Sequence, residues 1–111
     1  MASMFLNVPE FNHDISGWDT SQVTDMDNMF RWADAFNQPI GVWNTSANTN
    51  LDRTFYGTDS FDQDLSNWDT SNVTNMNQTF KVAIFNQDLS TWDTSKVETM
   101  HSMFYANGYF N

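Results

Sequence analysis

Apolar and polar positions fall into a fixed order along the chain, seen most plainly in residues 61–85. "FDQDLSNW" sets Phe61, Leu65 and Trp68 apart with polar residues between them. That spacing lacks a helical stripe and predicts a strand or extended segment with an irregularity near Asn67. Asp69, Thr70, Ser71 and Asn72 follow. These residues hydrogen-bond nearby backbone with their side chains and so close one element before the next begins. "VTNMNQTFKVA" then places Val73, Met76, Phe80 and Ala83 at i, i+3, i+7 and i+10, one face of a short helix, with α and 3₁₀ both open. In the equivalent earlier stretch, Thr24 followed by Asp27 reads as a capping box with Asp in place of Glu. A helix this short is marginal alone and needs its neighbours.

The whole pattern returns. Trp18-Asp19-Thr20-Ser21 reappears as Trp43-Asn44-Thr45-Ser46, Trp68-Asp69-Thr70-Ser71 and Trp92-Asp93-Thr94-Ser95, at steps of 25, 25 and 24 residues. Two phenylalanine columns share that period: Phe11, Phe36, Phe61, Phe85 and Phe110, and Phe5, Phe30, Phe55, Phe80 and Phe104. The missing residue lies between Phe80 and Phe85. Such a period marks a repeat architecture, in which each unit buries its apolar face only against its neighbours. The expectation is a leucine-rich-repeat-like solenoid of about four coils, each a short strand plus a short helix, in the α/β class. One repeat domain spans residues 1–111, in units of roughly 1–10 (partial), 11–35, 36–60, 61–84, 85–109 and 110–111 (partial). The Phe columns and the Trp18, Trp43, Trp68 and Trp92 column are the expected core, each buried Trp worth roughly 2–3 kcal/mol. Because Met1 and Met4 are in register with Met26 and Met29, the chain reads like a piece of a longer array.

The string F-N-x-D-[IL]-S-x-W-D-T-S-x-V-T-x-M-x-x-M-F, carried by Phe11 to Phe30, Phe61 to Phe80 and Phe85 to Phe104, resembles the DUF285 bacterial surface-protein repeat. That repeat is related to the BspA-like leucine-rich repeats. The resemblance covers essentially the whole chain. The second unit departs most, with Pro39, Gly41, Asn48, Leu51 and Thr54 at positions the others fill with Asp, Ser, Val and a Met pair, and a looser helix is expected there. The resemblance implies a solenoid, and a cell-surface or secreted parent protein with proposed roles in adhesion or host interaction. It carries no catalytic residues.

Charge narrows the partners. The chain has a net charge of −10, with Arg31, Arg53, Lys81 and Lys96 as its cations. Such a surface repels phosphate, so nucleic acid is not expected as a partner, and anionic membranes are disfavoured. No long apolar run predicts membrane insertion, and no signal peptide is visible at the start. The 40% apolar content, with ten Phe and five Trp, is enough for a core. With zero Cys, disulfides and thiolate metal sites are excluded.

Candidate chemistry follows from the columns. Asp64 and Asp88 share one position and Asp69 and Asp93 another; stacked carboxylates are the weak case for calcium, the only cofactor the sequence suggests. Pro39 and Asn44 interrupt both columns, which favours turn capping instead. Asn12, Asn37, Asp62, Asn86 and Asn111 form a polar file suited to a side-chain ladder. Thr20, Thr45, Thr70 and Thr94 form an unbroken file that lies at a corner, not on a flat face as ice binding would want. Strict periodicity places the Trp column in the core rather than on a sugar-stacking surface. Trp32, Tyr56, Tyr105 and Tyr109, read as falling outside the repeat columns, are the candidate contact surface, with Arg31 and Arg53 near them in sequence. His13 and His101 have no nucleophile or second ligand at suitable spacing. Catalysis needs one unique constellation and this chain offers repeated ones, so no enzyme is expected. The leading expectation is a non-enzymatic surface module for protein interaction or adhesion. The alternatives are a spacer, or a homo-oligomer assembled through open solenoid ends, and a carbohydrate-binding domain.

Overall fold

The computed structural model describes residues 1–108. Its strand-and-helix expectation is overturned. Among the described residues the only helical segment is a 3₁₀ turn, Ile40–Val42, and no sheet forms. Among the described residues the strand-like pairings are the isolated parallel bridges Asp25↔Asn50, Asn50↔Asn75 and Asn75↔Thr99. The chain is a globule of 34 × 31 × 21 Å built from turns, not a solenoid of strand-plus-helix coils. Thr24 and Asp27 make no capping box; the Asp27 N–H donates to Asp25 Oδ1 at 2.9 Å. Among the described residues the helix expected to be looser in the second unit is absent from all units, and that unit holds a 3₁₀ turn.

The backbone bonds explain the difference. Along residues 26–33, alternate N–H groups leave their own unit. Met26, Asn28, Phe30 and Trp32 donate to the carbonyls of Asn50, Asp52, Thr54 and Tyr56 at 2.9–3.1 Å. The intervening ones close tight turns, from Met29 to Met26, Arg31 to Asn28 and Ala33 to Phe30. An α-helix keeps every N–H bond within its own segment; here half of them join one layer to the next. The price is backbone strain. Asn28 and Trp32 hold φ of 55° and 59°, and the same two positions recur as Arg53 and Gly57, Gln78 and Val82, and Ser102 and Ala106. Positive φ at the third residue is what a type II turn requires, and it costs a non-glycine residue roughly 1–2 kcal/mol. Val82, β-branched, is the extreme case.

The core offsets that strain. Phe5, Phe30, Phe55, Phe80 and Phe104 stack face to face with centroids 5.5–5.6 Å apart. A second file of Phe11, Phe36, Phe61 and Phe85 runs beside it at 5.6–6.1 Å. Within each layer the two files touch, as Phe30 does Phe36 at 4.2 Å and Phe80 does Phe85 at 4.1 Å. The residue missing between Phe80 and Phe85 is therefore absorbed in the loop without breaking the ring contact. Phe110, Tyr109 and Asn111, placed in columns or on the contact surface by sequence, lie outside the described residues.

The Trp column is structural where a layer precedes it. Trp43, Trp68 and Trp92 donate their indole N–H groups to the carbonyls of Ile15, Ile40 and Leu65, each at 3.0 Å. All three are buried. Trp18 departs from its expected core role: it is 43% exposed, although its ring still meets Phe5 with centroids 5.9 Å apart. Phe5, Phe11 and Phe104, on the outermost layers, are only partly buried against the same core.

The polar columns also hold layers together. Thr20, Thr45 and Thr70 are buried and donate their hydroxyls to the carbonyls of Asn44, Asp69 and Asp93 at 2.9–3.1 Å. Asn12, Asn37 and Asp62 accept the N–H of Asn37, Asp62 and Asn86 through their side-chain oxygens. Each of Asp14, Asp19, Asp64, Asp69, Asp88 and Asp93 accepts the backbone N–H of the Ser two residues on. Hydrogen bonds from those serines hold all six carboxyls below the usual carboxylate range.

That direction fixes a pH dependence. A carboxyl with a lowered folded-state pKa stabilises the fold above its unfolded pKa of about 3.9, and loses that contribution as pH falls through the lower folded value. Asn44 supplies the neutral counterpart in the same column, accepting the Ser46 N–H at 3.1 Å and hydroxyl at 2.7 Å. Asp69→Asn is therefore expected to be slightly less stable than the parent at pH 7 and to lose less stability between pH 7 and pH 3. Urea midpoints at the two pH values measure this; an unchanged pH difference would contradict it.

Candidate interaction face

Most exposed polar side chains are thus committed to the fold, and one face is not. The turns at residues 26–33 and their equivalents bury Met26, Met29, Phe30 and Ala33. They turn the residue after each Phe outward. Those outward residues are Arg31, Tyr56, Lys81 and Tyr105, a column in which cation and aromatic alternate. The Arg31 guanidinium carbon lies 5.0 Å from the Tyr56 ring centre. The Lys81 ammonium lies 5.6 Å from Tyr56 and 5.1 Å from Tyr105. Tyr56 is thereby flanked by a cation from the layer before and one from the layer after. Contacts of this kind contribute about 0.5–1 kcal/mol each when exposed.

Trp32 stands beside this column. Its ring meets Tyr56 edge-on, with centroids 5.1 Å apart and a 72° tilt. A Cβ on Gly57 would come within 2.3 Å of the indole, so only glycine leaves room for it, and glycine also suits the φ of 68° there. The indole packs closely over Gly57 while remaining 37% exposed.

The polar atoms of the face are under-used. Among the described residues, the Lys81 ammonium, the Tyr56 and Tyr105 hydroxyls and the Trp32 indole N–H make no hydrogen bond, and the one ion pair is Arg53 Nη1 to Asp52 Oδ2 at 2.9 Å. Arg53 Nε donates to Gln78 Oε1 at 3.1 Å, and Arg31 Nη1 to Asn28 Oδ1 at 3.3 Å. Arg31 Nε and Asp52 Oδ1 are buried without a partner. Burial pushes the Asp52 carboxyl above its ordinary range, outweighing the guanidinium of Arg53 beside it. Asp34 is raised as well, by burial and then by the charge of Asp59.

The calcium positions look different. Asp64, Asp88, Asp69 and Asp93 each serve their own serine turn. Among the described residues no group of three or more His, Asp or Glu side chains is arranged to hold a metal ion. His13 lies against Phe11, 5.7 Å between ring centres, far in sequence from His101. Also among the described residues, no helix is long and apolar enough to cross a membrane.

Comparison with known families matches one family model, described as "Mycoplasma protein of unknown function, DUF285", over residues 1–83 and 42–111. The chain belongs to the DUF285 family. No curated protein and no solved structure gives a match.

For this DUF285 chain, ring and cation contacts join Trp32, Arg31, Tyr56 and Tyr105 of the expected contact residues, whereas Arg53 pairs with Asp52 and Gln78; the expectation that Tyr56 and Tyr105 fall outside the repeat columns does not hold. Tyr56 and Tyr105 are members of a repeat column, and Trp32 is in register with Gly57 and Val82. Lys81 was missed altogether. The signal was present: reading the residue after each Phe of the Phe30 column as a single file brings Arg31, Tyr56, Lys81 and Tyr105 together.

Proposed function

We propose that the chain is a non-enzymatic interaction module that engages a protein partner, or a protein on a host surface, through the face formed by Trp32, Arg31, Tyr56, Lys81 and Tyr105. One observation carries this reading: the Arg31–Tyr56–Lys81–Tyr105 column gathers partly exposed aromatics and cations in contact with one another, and the Lys81 ammonium and both tyrosine hydroxyls serve no structural ladder. Aromatic and Arg residues in rigid, partly exposed settings are the residue types that carry binding energy at interfaces. The repeated serine turns and Asn ladder, by contrast, are explained by the fold. A surface or secreted location for the parent protein fits this reading and follows from family resemblance.

The test is selection of ligands from a protein-display library on the full chain. Selected ligands are expected to lose binding to the Trp32→Ser/Lys81→Ser variant and to keep it for Asp14→Asn, with thermal melting confirming that both variants fold. Ligands indifferent to the double substitution would overturn the assignment of this face. If no protein ligand emerges while a glycan array shows binding that depends on Trp32, the carbohydrate-binding alternative replaces it.

A further inference from the structure

The second unit departs from the others at a place the repeat does not explain. Where the other units set Asp14, Asp64 and Asp88, it has Pro39; where they set Ser16, Ser66 and Ser90, it has Gly41. No carboxylate–serine turn can form there, and the chain makes the 3₁₀ turn Ile40–Val42 instead. That turn presses on the next layer. A Cβ on Gly41 would come within 2.1 Å of the Asp64 carbonyl oxygen, so the serine of the other units has no room. At this contact lies an open cleft of about 220 Å³, lined by Pro39, Gly41, Val42, Gln63, Asp64 and Asn67. It is smaller than the roughly 300–1,000 Å³ that takes a drug-sized ligand, and suits a single side chain.

The chemistry of the lining is one-sided. Pro39 and Val42 are apolar and exposed, Val42 at 73%. The polar residues from the next layer offer acceptors. Gln63 Nε2 donates to the Asn37 carbonyl and Oδ1 at 3.1 and 2.9 Å, and among the described residues its Oε1 is free. Thr91 donates to the Ser66 carbonyl at 2.7 Å, but Asn67, its counterpart one layer earlier, makes no side-chain hydrogen bond among the described residues. Asp64 Oδ1 accepts the Ser66 N–H at 2.8 Å, and among the described residues its carboxylate pairs with no cation. With Oδ1 already engaged, that carboxylate is ill suited to the two-pronged grip of a guanidinium. A primary ammonium, a point charge with three donors on a flexible stem, suits it better.

We propose that this cleft receives a primary ammonium group on an aliphatic stem, the chemistry of a lysine side chain. Asp64 and the amide oxygens of Gln63 and Asn67 take the ammonium, and Pro39 and Val42 cover the methylenes. The interaction face described above shares none of these residues, so either reading can fail without the other.

The probe is a short peptide with blocked ends and one lysine, compared with the same peptide carrying norleucine, which keeps the stem without the charge. Both are titrated into the full chain and followed by NMR at about 0.15 M salt, where distant carboxylates are screened. The lysine peptide is expected to shift the side-chain amide signals of Gln63 and Asn67, and the norleucine peptide to leave them in place. Asp64→Asn, whose serine turn can persist as the Asn44 turn does, is expected to bind about two- to fivefold more weakly. Asp14→Asn makes the same change of charge in the same column and is expected to bind as the parent does. Equal binding by the two variants would mean that net charge alone holds the peptide, and would overturn the inference, as would equal binding of the norleucine peptide. An n-butylammonium titration separates the sources: a response equal to that of the lysine peptide assigns the cleft to free amines, and a weaker one to a lysine of a protein partner.

Discussion

Replacing Phe55 with alanine is expected to destabilise the chain by about 3–5 kcal/mol, the range for deleting a fully buried aromatic. Folded domains are stable by only about 5–15 kcal/mol, so much of the total would go. Phe55 is fully buried and sits at the crossing of both files. It stacks on Phe30 and Phe80 at 5.6 and 5.5 Å and meets Phe61 at 4.3 Å and Trp68 at 5.9 Å. The cavity cannot readily collapse, because the interlayer bonds Phe55 N–H to Thr79 O and Phe30 N–H to Thr54 O, both 2.9 Å, fix the spacing of the rings on either side. Phe5 occupies the same column at its outer end and is only partly buried. Phe5→Ala is expected to cost less, roughly 1–2 kcal/mol. Urea unfolding of the two variants, at unchanged m-value, measures the contrast. A Phe55→Ala loss below that of Phe5→Ala would mean the ring files are not the continuous core described.

The same residues show what the sequence made legible. Val73, Met76, Phe80 and Ala83 were read as one apolar face, and all four are buried. The side-chain direction was right and the backbone was wrong. Steps of three and four residues arise from a helix, and equally from consecutive tight turns that start at Met76 and Phe80. What separates the two is where the N–H groups go. Met76, Gln78, Phe80 and Val82 donate to Thr99, His101, Met103 and Tyr105 in the next layer, bonds between residues 23 apart that periodicity within one unit does not encode. The usual mark of such turns is glycine or asparagine at positive φ. Here that mark is scarce, because Arg53, Gln78, Val82 and Trp32 hold those angles instead. Columns were legible wherever each layer repeats one residue type, as with Trp43, Trp68 and Trp92. The candidate face was hidden because its column alternates two types, and alternation looks like irregularity until the layers are aligned. Trp18 shows a further limit: its column predicts burial, yet it is 43% exposed.

Asn48→Val is expected to stabilise the chain by about 1–3 kcal/mol, the cost of burying polar groups without partners. Asn48 is 1% exposed, and neither its Nδ2 nor its Oδ1 has a hydrogen-bond partner. Its own backbone N–H is satisfied by the Thr45 carbonyl at 3.0 Å, so the deficit lies in the side chain alone. The column shows what the site prefers: Val23, Val73 and Val97 occupy the equivalent positions, and the backbone N–H of Val73 and of Val97 makes the same 3.0 Å bond, to Thr70 and Thr94. Valine therefore needs no new backbone geometry, and it replaces an amide stripped of water with methyl groups of similar bulk. At roughly 4–8 °C per kcal/mol for a small domain, the melting temperature is expected to rise by several degrees or more. Asn48→Ala separates the two contributions. It removes the orphaned amide but leaves space unfilled, so its gain is expected to fall short of that from valine. Asn48→Asp sets a carboxylate in the same place and is expected to destabilise strongly at pH 7, less so once acid neutralises it. Were valine to destabilise while aspartate was tolerated, the amide would have to be hydrated, and the interior at this layer would be wet where its neighbours are dry.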